Sequence, residues 1–417
     1  MRALLILGGG TAGTMIVNKL HKRLPRDEWT ITVVDRDDDH HYQPGYLFVP
    51  FAGYTRSEIV RSRHHFIADG VELVLGEIDR VVPESDVVHL ADGRELAYDY
   101  LVIATGTTPR PDQTPGMLGA EWRRSIFDFY TLEGAEALAA ALATFDHGRL
   151  VVHVAETPIK CPVAPLEFAF LVEAWLRQEG LRDRVELAYV TPLDGAFTQP
   201  VASALLGRML AERKIEVETD FLVERVDPDR KTLVSYDGRE VPFDLLVTVP
   251  VNMGADFVAR SGLGDELNYV PVAKHTLLAA GHSNIFAVGD ASDIPASKAG
   301  SVAHFAVEVF VDNFLEHADG LPMTGSFDGH ANCFVESGDD KALLIDFNYD
   351  TQPLPGKYPI PRVGPLSLLK ETRANHLGKL AFRHLYWNVL LPGRSLPLPT
   401  HMSLAGKQLP DTTAKEK

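Results

Sequence analysis

The sequence predicts an α/β protein built on two parallel-sheet units, and three observations predict it. Residues 2–7, RALLIL, form an apolar run of buried-strand type that enters Gly8-Gly9-Gly10-Thr11-Ala12-Gly13 and a helical stretch through Leu24. Residues 91–104, ADGRELAYDYLVIA, return at an offset of 145 as residues 236–249, YDGREVPFDLLVTV, so the chain repeats itself. Finally, 417 residues with 45% hydrophobic content exceed one core and supply two or three.

The net charge of -17 argues against a nucleic-acid partner, because such binding needs a basic surface to displace counterions. No basic segment followed by an apolar core opens the chain, and no apolar run approaches ~18 residues, so neither signal peptide nor spanning helix is expected. The expected location is the cytoplasm, at the face of the cell membrane. Two cysteines, Cys161 and Cys333, do not make a secreted disulfide scaffold; any pairing between them is expected to be catalytic, and two inert buried thiols are the other reading. No metal site is expected.

The first glycine run has the order strand, tight turn, helix. Gly8 permits the turn, Gly10 lets backbone approach a pyrophosphate, and Gly13 lets the helix pack on the strand, with phosphates at the helix N-terminus. A second strand, residues 29–34, ends on Asp35, 22 residues after Gly13 and placed to hold ribose hydroxyls. These residues alone leave the dinucleotide open between NAD and FAD. Two further buried strands follow, residues 100–105 ending in Ala104-Thr105-Gly106 and residues 284–288 ending in Gly289-Asp290.

With the glycine motif, the ATG segment and the Gly-Asp motif in this order, the chain resembles the two-dinucleotide-fold flavoproteins, of glutathione-reductase-like architecture. The resemblance implies FAD, held by Gly8, Gly10, Gly13, Asp35, Thr105, Gly106, Gly289 and Asp290, with Asp290 on the ribityl chain. It also implies a helix over about 300–317 whose positive end faces the flavin. The expected division is an FAD-binding Rossmann unit over 1–110, a second Rossmann-like unit over 111–248, the rest of the FAD-binding unit over 249–325, and a C-terminal region over 326–417.

In the repeat, residues 149–154 correspond to residues 2–7, yet Ala155-Glu156-Thr157-Pro158-Ile159-Lys160 stands where the glycines stood. The glycines are gone, a proline interrupts the turn, and Glu156 would repel a pyrophosphate. The ATG equivalent has become Val249-Pro250-Val251. The second unit is therefore expected to keep its fold without binding a nicotinamide dinucleotide, and another donor must reduce the flavin.

Cys161 follows directly, in Lys160-Cys161-Pro162-Val163, before a helix that runs to about Gly180; a helix N-terminus and a lysine both favour thiolate. Cys333 lies in residues 327–334, FDGHANCF. With His41-Tyr42-Gln43-Pro44-Gly45-Tyr46, Lys298-Ala299-Gly300 and Leu385-Tyr386-Trp387, these segments resemble the sulfide:quinone oxidoreductases over most of the chain. In that family the matching cysteines form a disulfide or sulfur-bridged pair beside the flavin. The resemblance implies that hydrosulfide attacks the pair, leaving a persulfide on one cysteine and a thiolate on the other, with Cys333 as the flavin-side thiolate, and that electrons pass through FAD to quinone. The sulfur product would be polysulfide or elemental sulfur.

Glu167, near the same helix end as Cys161, is a candidate acid or base, or else a capping glutamate. Lys298 is a candidate for tuning the flavin, or else a loop lysine. Many family members carry a third cysteine in the stretch matching residues 125–131, which here reads SIFDFYT, so FAD is expected to be non-covalent. Other readings are a sulfide dehydrogenase donating to a cytochrome, an NADH:quinone oxidoreductase, disfavoured by the erased glycines, and a redox-sensing flavoprotein without turnover.

Residues 366–394 read as one or two helices, with Leu366, Leu369, Leu377, Leu380 and Leu385 near a helical stripe. Lys370, Arg373, Lys379, Arg383 and Arg394 outnumber the one acid, Glu371. A basic amphipathic stretch fits the membrane interface, and the alternative packs it on the core or on a second copy in a homo-oligomer. Phe334 is the candidate for the quinone ring contact, or else a core aromatic.

Overall fold

The structure is a computed structural model that describes residues 1–396 and 398–409; of the C-terminal region expected over 326–417, residues 397 and 410–417 lie outside the described residues. Its first sheet is wholly parallel, in the order Ile285–Ala287, Tyr100–Ile103, Arg2–Leu7, Trp29–Asp35, Glu72–Leu75. The central strands are buried on both faces, and their apolar runs follow from that burial, while the edge strand Glu72–Leu75 is partly exposed.

The second sheet is also parallel, in the order Ile126–Phe127, Leu245–Val249, Gly148–Val154, Val185–Val190, Glu216–Glu218. Apart from the outermost strand, both sheets place their fourth strand beside the first, followed by the second and third. Each unit also carries a three-stranded antiparallel meander, over residues 78–97 and 223–242. The repeat at offset 145 marks the last meander strand and the following core strand in both units.

The units differ where the glycines were lost. After Arg2–Leu7 the chain turns through residues 8–10 into the helix Thr11–Leu20, with Gly8 at φ +96° and its would-be Cβ only 2.6 Å from the Ala104 carbonyl oxygen. After Gly148–Val154 it runs through residues 155–163 before the helix Ala164–Gln178 begins. That longer excursion carries Cys161 out toward the first unit.

A third sheet follows the helix Gly300–Ala318, in the order Ala331–Gly338, Lys341–Phe347, Gly364–Leu368, Gly356–Ile360. Residues 364–368 are therefore a strand, which corrects the helical reading from residue 366. Leu366 and Leu368, two residues apart, share one face of that strand, while Leu366 and Leu369 have the spacing of a helix. The helix proper is Arg373–Leu385, capped by Thr372 and continued by a π-turn over Tyr386–Leu390. Buried Asn375 fixes its start on the sheet, accepting from Ser367 N (3.0 Å) and donating to the carbonyls of Ala342, Ser367 and Lys370.

The C-terminal helix keeps Leu377 and Leu380 outward, as the interfacial reading has them, but two of its cations turn inward. Lys379 points inward against Glu167, and Arg383 pairs with Glu58 at 2.9 Å. The exposed face carries Leu377, 63% accessible, with Leu380 and Ala381. Opposite charges on the neighbouring elements recruit Lys379 and Arg383, while Lys370, Arg373 and Arg394 stay exposed with the leucines. Among the described residues, no helix is long and apolar enough to cross a membrane.

Candidate active site

The glycine loop is shaped for a group that approaches its backbone. A Cβ on Gly13 would lie 1.8 Å from the Gly8 carbonyl oxygen, so the helix packs there without a side chain to spare. A Cβ on Gly10 would meet nothing within 4 Å, so Gly10 faces open space at the helix N-terminus. Asp35 stands at the end of its strand, accepting from Gly9 N at 2.8 Å and Arg36 N at 2.8 Å. Burial raises its pKa, and the Arg63 guanidinium, 3.2 Å away, opposes that shift. Arg63 also donates to the carbonyls of Gly9, Asp37 and Asp39, which orders the loop around the acid. Nothing in the spacing of the sequence marked Arg63, because it reaches this loop from a separate short segment.

Thr105 and Gly106 follow the strand Tyr100–Ile103. The Thr105 hydroxyl is buried without a partner, and Gly106, at φ +69°, has open space where a side chain would be. Gly289 takes φ +72° at the tip of Ile285–Ala287, with Ala12 3.2 Å from where its Cβ would be. Buried Lys298 donates to the carbonyls of Asp290 (3.0 Å) and Ser292 (2.9 Å) and lies 3.5 Å over the Tyr269 ring. Burial lowers its pKa to about 8, while Asp290 draws it back up. Asp290 itself is raised by burial, with Lys298 and Lys160 opposing.

Cys161 meets this group directly. Its N–H donates to the Lys298 carbonyl at 2.5 Å, and its carbonyl accepts from Ala164 N (2.8 Å) and the Tyr130 hydroxyl (3.1 Å). These bonds hold it at φ +48°, a left-handed conformation uncommon for a residue with a side chain. Cys161 thus precedes the helix by a turn of its own, and Lys160 points away to Gln43 at 2.8 Å. The expectation that the helix end and Lys160 yield a thiolate is corrected in its net outcome: burial pushes the Cys161 thiol up and Glu167 adds to the rise, outweighing the N–H of Ala164 at the helix start, which favours thiolate. Cys333 is pushed up to about 12 for the same two reasons. The cation that opposes both shifts is Lys379.

Both cysteines are free thiols, and Cys333 contributes to the upward shift of Cys161, so the structure brings the two together. Cys333 lies opposite Ile345 in the sheet and is approached by Ser301, from the first turn of Gly300–Ala318. Strand alternation then sends Phe334 to the other face, where a Cβ on Gly378 of the C-terminal helix would lie 3.0 Å from its ring. Phe334 is near Cys333 in sequence and faces away from it.

Glu167 lies in the first turn of its helix but does not cap it. It is 1% exposed, accepts from Glu336 N at 2.7 Å, and meets Lys379 through the same oxygen, Oε1. Its second oxygen is buried and unpartnered. Lys379 and Glu336 were both missed as site residues. Lys379 read as one cation of an outward basic face; Glu336 had a signal, an acid set in the strand Ala331–Gly338 among buried neighbours.

Residues 2–154 match the family model described as pyridine nucleotide-disulphide oxidoreductase. The chain is 26% identical over 397 residues to the mitochondrial sulfide:quinone oxidoreductase of Dictyostelium discoideum, covering 94% of this chain and 86% of that protein. The chain is thus similar, over nearly its whole length, to sulfide:quinone oxidoreductases. The Mus musculus mitochondrial sulfide:quinone oxidoreductase is likewise 26% identical, covering 93% and 86%. The solved structure of the sulfide:quinone oxidoreductase from Aquifex aeolicus has a TM-score of 0.77 at 19% identity, covering 94% of this chain and 92% of that one, which shows a shared fold.

The protein is a flavoenzyme that uses FAD. The residues present fit that group: open backbone at Gly10 and Gly106, an acid at Asp35 with acceptor capacity left, and an unpartnered buried hydroxyl at Thr105. When bound, FAD supplies the two-electron redox chemistry that side chains lack.

Proposed function

We propose that this chain oxidises hydrosulfide through Cys161 and Cys333 and delivers the electron pair, by way of FAD, to a quinone. The observation that carries the reading is the bond from Cys161 N–H to the Lys298 carbonyl, which ties the erased second dinucleotide loop to the Gly-Asp end of the FAD-type unit. Relatives over nearly the whole chain carry the name sulfide:quinone oxidoreductase and support the same donor and acceptor.

In the proposed cycle the two cysteines, free thiols in this structure, are oxidised to a disulfide before sulfide binds. Hydrosulfide attacks the Cys161 sulfur, the S–S bond breaks, and Cys161 becomes a persulfide while Cys333 leaves as thiolate. Overall, HS⁻ gives up two electrons and a proton to leave zero-valent sulfur, bound as persulfide or released as polysulfide. The quinone gains two electrons and two protons, so each turnover takes one net proton from solution. Lys379 favours the thiolate forms that burial and Glu167 disfavour. Glu167, within the electrostatic reach of both sulfurs, holds or releases protons there. Lys298 positions the Gly-Asp turn and keeps a cation beside Asp290.

The quinone would enter from the C-terminal helix side, where Phe334 packs at Gly378 beside Lys379. The exposed Leu377 and Leu380, with Val363 (72% exposed) on the neighbouring hairpin, suit a membrane surface in which a lipid-soluble quinone dissolves. Cytoplasmic placement at that surface remains part of this proposal.

The test is anaerobic. Sulfide added to FAD-loaded protein is expected to bleach the flavin absorbance, and a soluble quinone to restore it, with NADH a poor substitute for sulfide. A flavin that stays oxidised under sulfide and bleaches under NADH would overturn the proposal in favour of an NADH:quinone oxidoreductase.

A further inference from the structure

The ion pair between Lys379 and Glu167 opens onto a second buried acid. Glu336 is 1% exposed, and its carboxylate is met by Nδ1 of His376 at 3.0 and 3.1 Å. His376 is half-buried, and its Nε2 lies 4.0 Å from Oδ1 of Asp340, which is 76% exposed in the turn after the cysteine strand. The groups form one charged cluster: Glu167 by the two sulfurs with Lys379, Glu336 joined to Glu167 through its backbone N–H and to Lys379 electrostatically, then His376, and Asp340 at the surface.

The charges in this cluster do not close on an ion pair. Two buried carboxylates face one ammonium, so a neutral His376 leaves an excess negative charge in low dielectric, and an added proton cancels it. Glu336 is faced by Glu167 from the helix Ala164–Gln178 and by Lys379 and His376 from the C-terminal helix, with Tyr54 farther off. Burial and Glu167 raise its pKa; Lys379 and His376 lower it. His376 faces Glu336 on one side and Asp340 on the other. A cluster whose members share an excess charge takes up and releases a proton as a unit.

Resting on the sulfide-to-quinone reading, which requires one net proton per turnover, we propose that His376 and Glu336 are the solvent-side proton relay to the Lys379–Glu167 pair. Asp340 gathers the proton, His376 carries it inward past the protein surface, and Glu336 passes it to the Lys379–Glu167 pair for the quinone. His376 and Glu336 are relay residues here and touch neither sulfur nor quinone.

The experiment isolates the oxidative half. FAD-loaded enzyme is reduced chemically with dithionite, mixed anaerobically with a soluble quinone, and followed by flavin absorbance from pH 6 to 9, for wild type, His376→Ala and Glu336→Gln. Reoxidation of His376→Ala is expected to slow by about tenfold or more, most at high pH, and to recover with added imidazole. Glu336→Gln is expected to slow without imidazole rescue, and sulfide-driven reduction to keep its wild-type rate in His376→Ala. Wild-type reoxidation rates in His376→Ala, or a slow rate that imidazole leaves unchanged, would overturn the relay. Failure of sulfide to reduce, or of quinone to reoxidise, the wild-type flavin would instead overturn the functional reading beneath it.

Discussion

The backbone N–H of Cys161 donates to the carbonyl of Lys298, 2.5 Å away. One bond therefore joins a loop that has lost its glycines to the turn that presents Asp290. It also fixes Cys161 at positive φ, in a turn of its own just before the helix.

The glycine loop separates folding from cofactor binding. Gly10→Ala adds a methyl group that touches no protein atom within 4 Å, so the protein should keep its melting temperature while FAD affinity falls by about tenfold or more. Gly13→Ala drives a methyl group to 1.8 Å from the Gly8 carbonyl oxygen and should destabilise the fold itself, by about 1–3 kcal/mol. Thermal melts with and without FAD, and FAD titration, distinguish the two.

Tyr386 ties the C-terminal segment to the FAD loop. Its hydroxyl lies 2.8 Å from Thr11 Oγ1, at the start of the glycine-loop helix, and 2.7 Å from Nε2 of buried His40. Tyr386→Phe should lower unfolding free energy by about 1–3 kcal/mol, because His40 loses a partner. Limited proteolysis should cut residues 386–396 faster than in wild type.

Acid should unfold the protein through buried neutral histidines. His153 is held to about 3 by burial alone, below its ordinary 6.5, and His304 to about 4. Between these values the unfolded chain binds protons that the folded chain refuses, so stability is full above pH 6.5 and falls as pH drops through that window. Each such histidine contributes a slope of about 1.4 kcal/mol per pH unit. His153 bonds Thr248 at 2.9 Å, so the paired variant His153→Leu, Thr248→Val should remove about one proton from the slope, read from urea midpoints between pH 4 and 6.5.

The exposed leucines should govern contact with lipid. Leu377→Asp with Leu380→Asp is expected to abolish sedimentation with vesicles of mixed zwitterionic and anionic lipid. Flavin reduction by sulfide in solution should be unchanged, because both side chains point away from the buried pair of Lys379 and Glu167. Full vesicle binding by this variant would remove the membrane reading of the helix.

The elements built from near neighbours were legible in the sequence. Gly8, Gly10 and Gly13 act within one turn, and Asp35 follows at the end of the next strand, so their spacing carried the fold and a dinucleotide site, while the choice of FAD rested on the later motifs and the resemblance. The duplication was legible because both copies keep a meander strand and a core strand in fixed order. The pairing of Lys379 with Glu167 was not, since 212 residues separate them and only the third sheet brings them together. For the same reason the inward turn of Lys379 and Arg383 in the helix Arg373–Leu385 was not legible, because distant Glu167 and Glu58 decide it. The strand at residues 364–368 was lost to a leucine spacing that suits either structure.

The most direct test of the account is single-turnover flavin reduction by sulfide, under anaerobic conditions, in Cys161→Ser and Cys333→Ser beside the wild type, each matched for FAD content. Wild-type flavin should bleach rapidly, and both variants should lose at least about two orders of magnitude in rate, because neither can form the disulfide that accepts hydrosulfide. Bleaching at the wild-type rate in either variant would contradict the claim that electrons reach FAD through this cysteine pair.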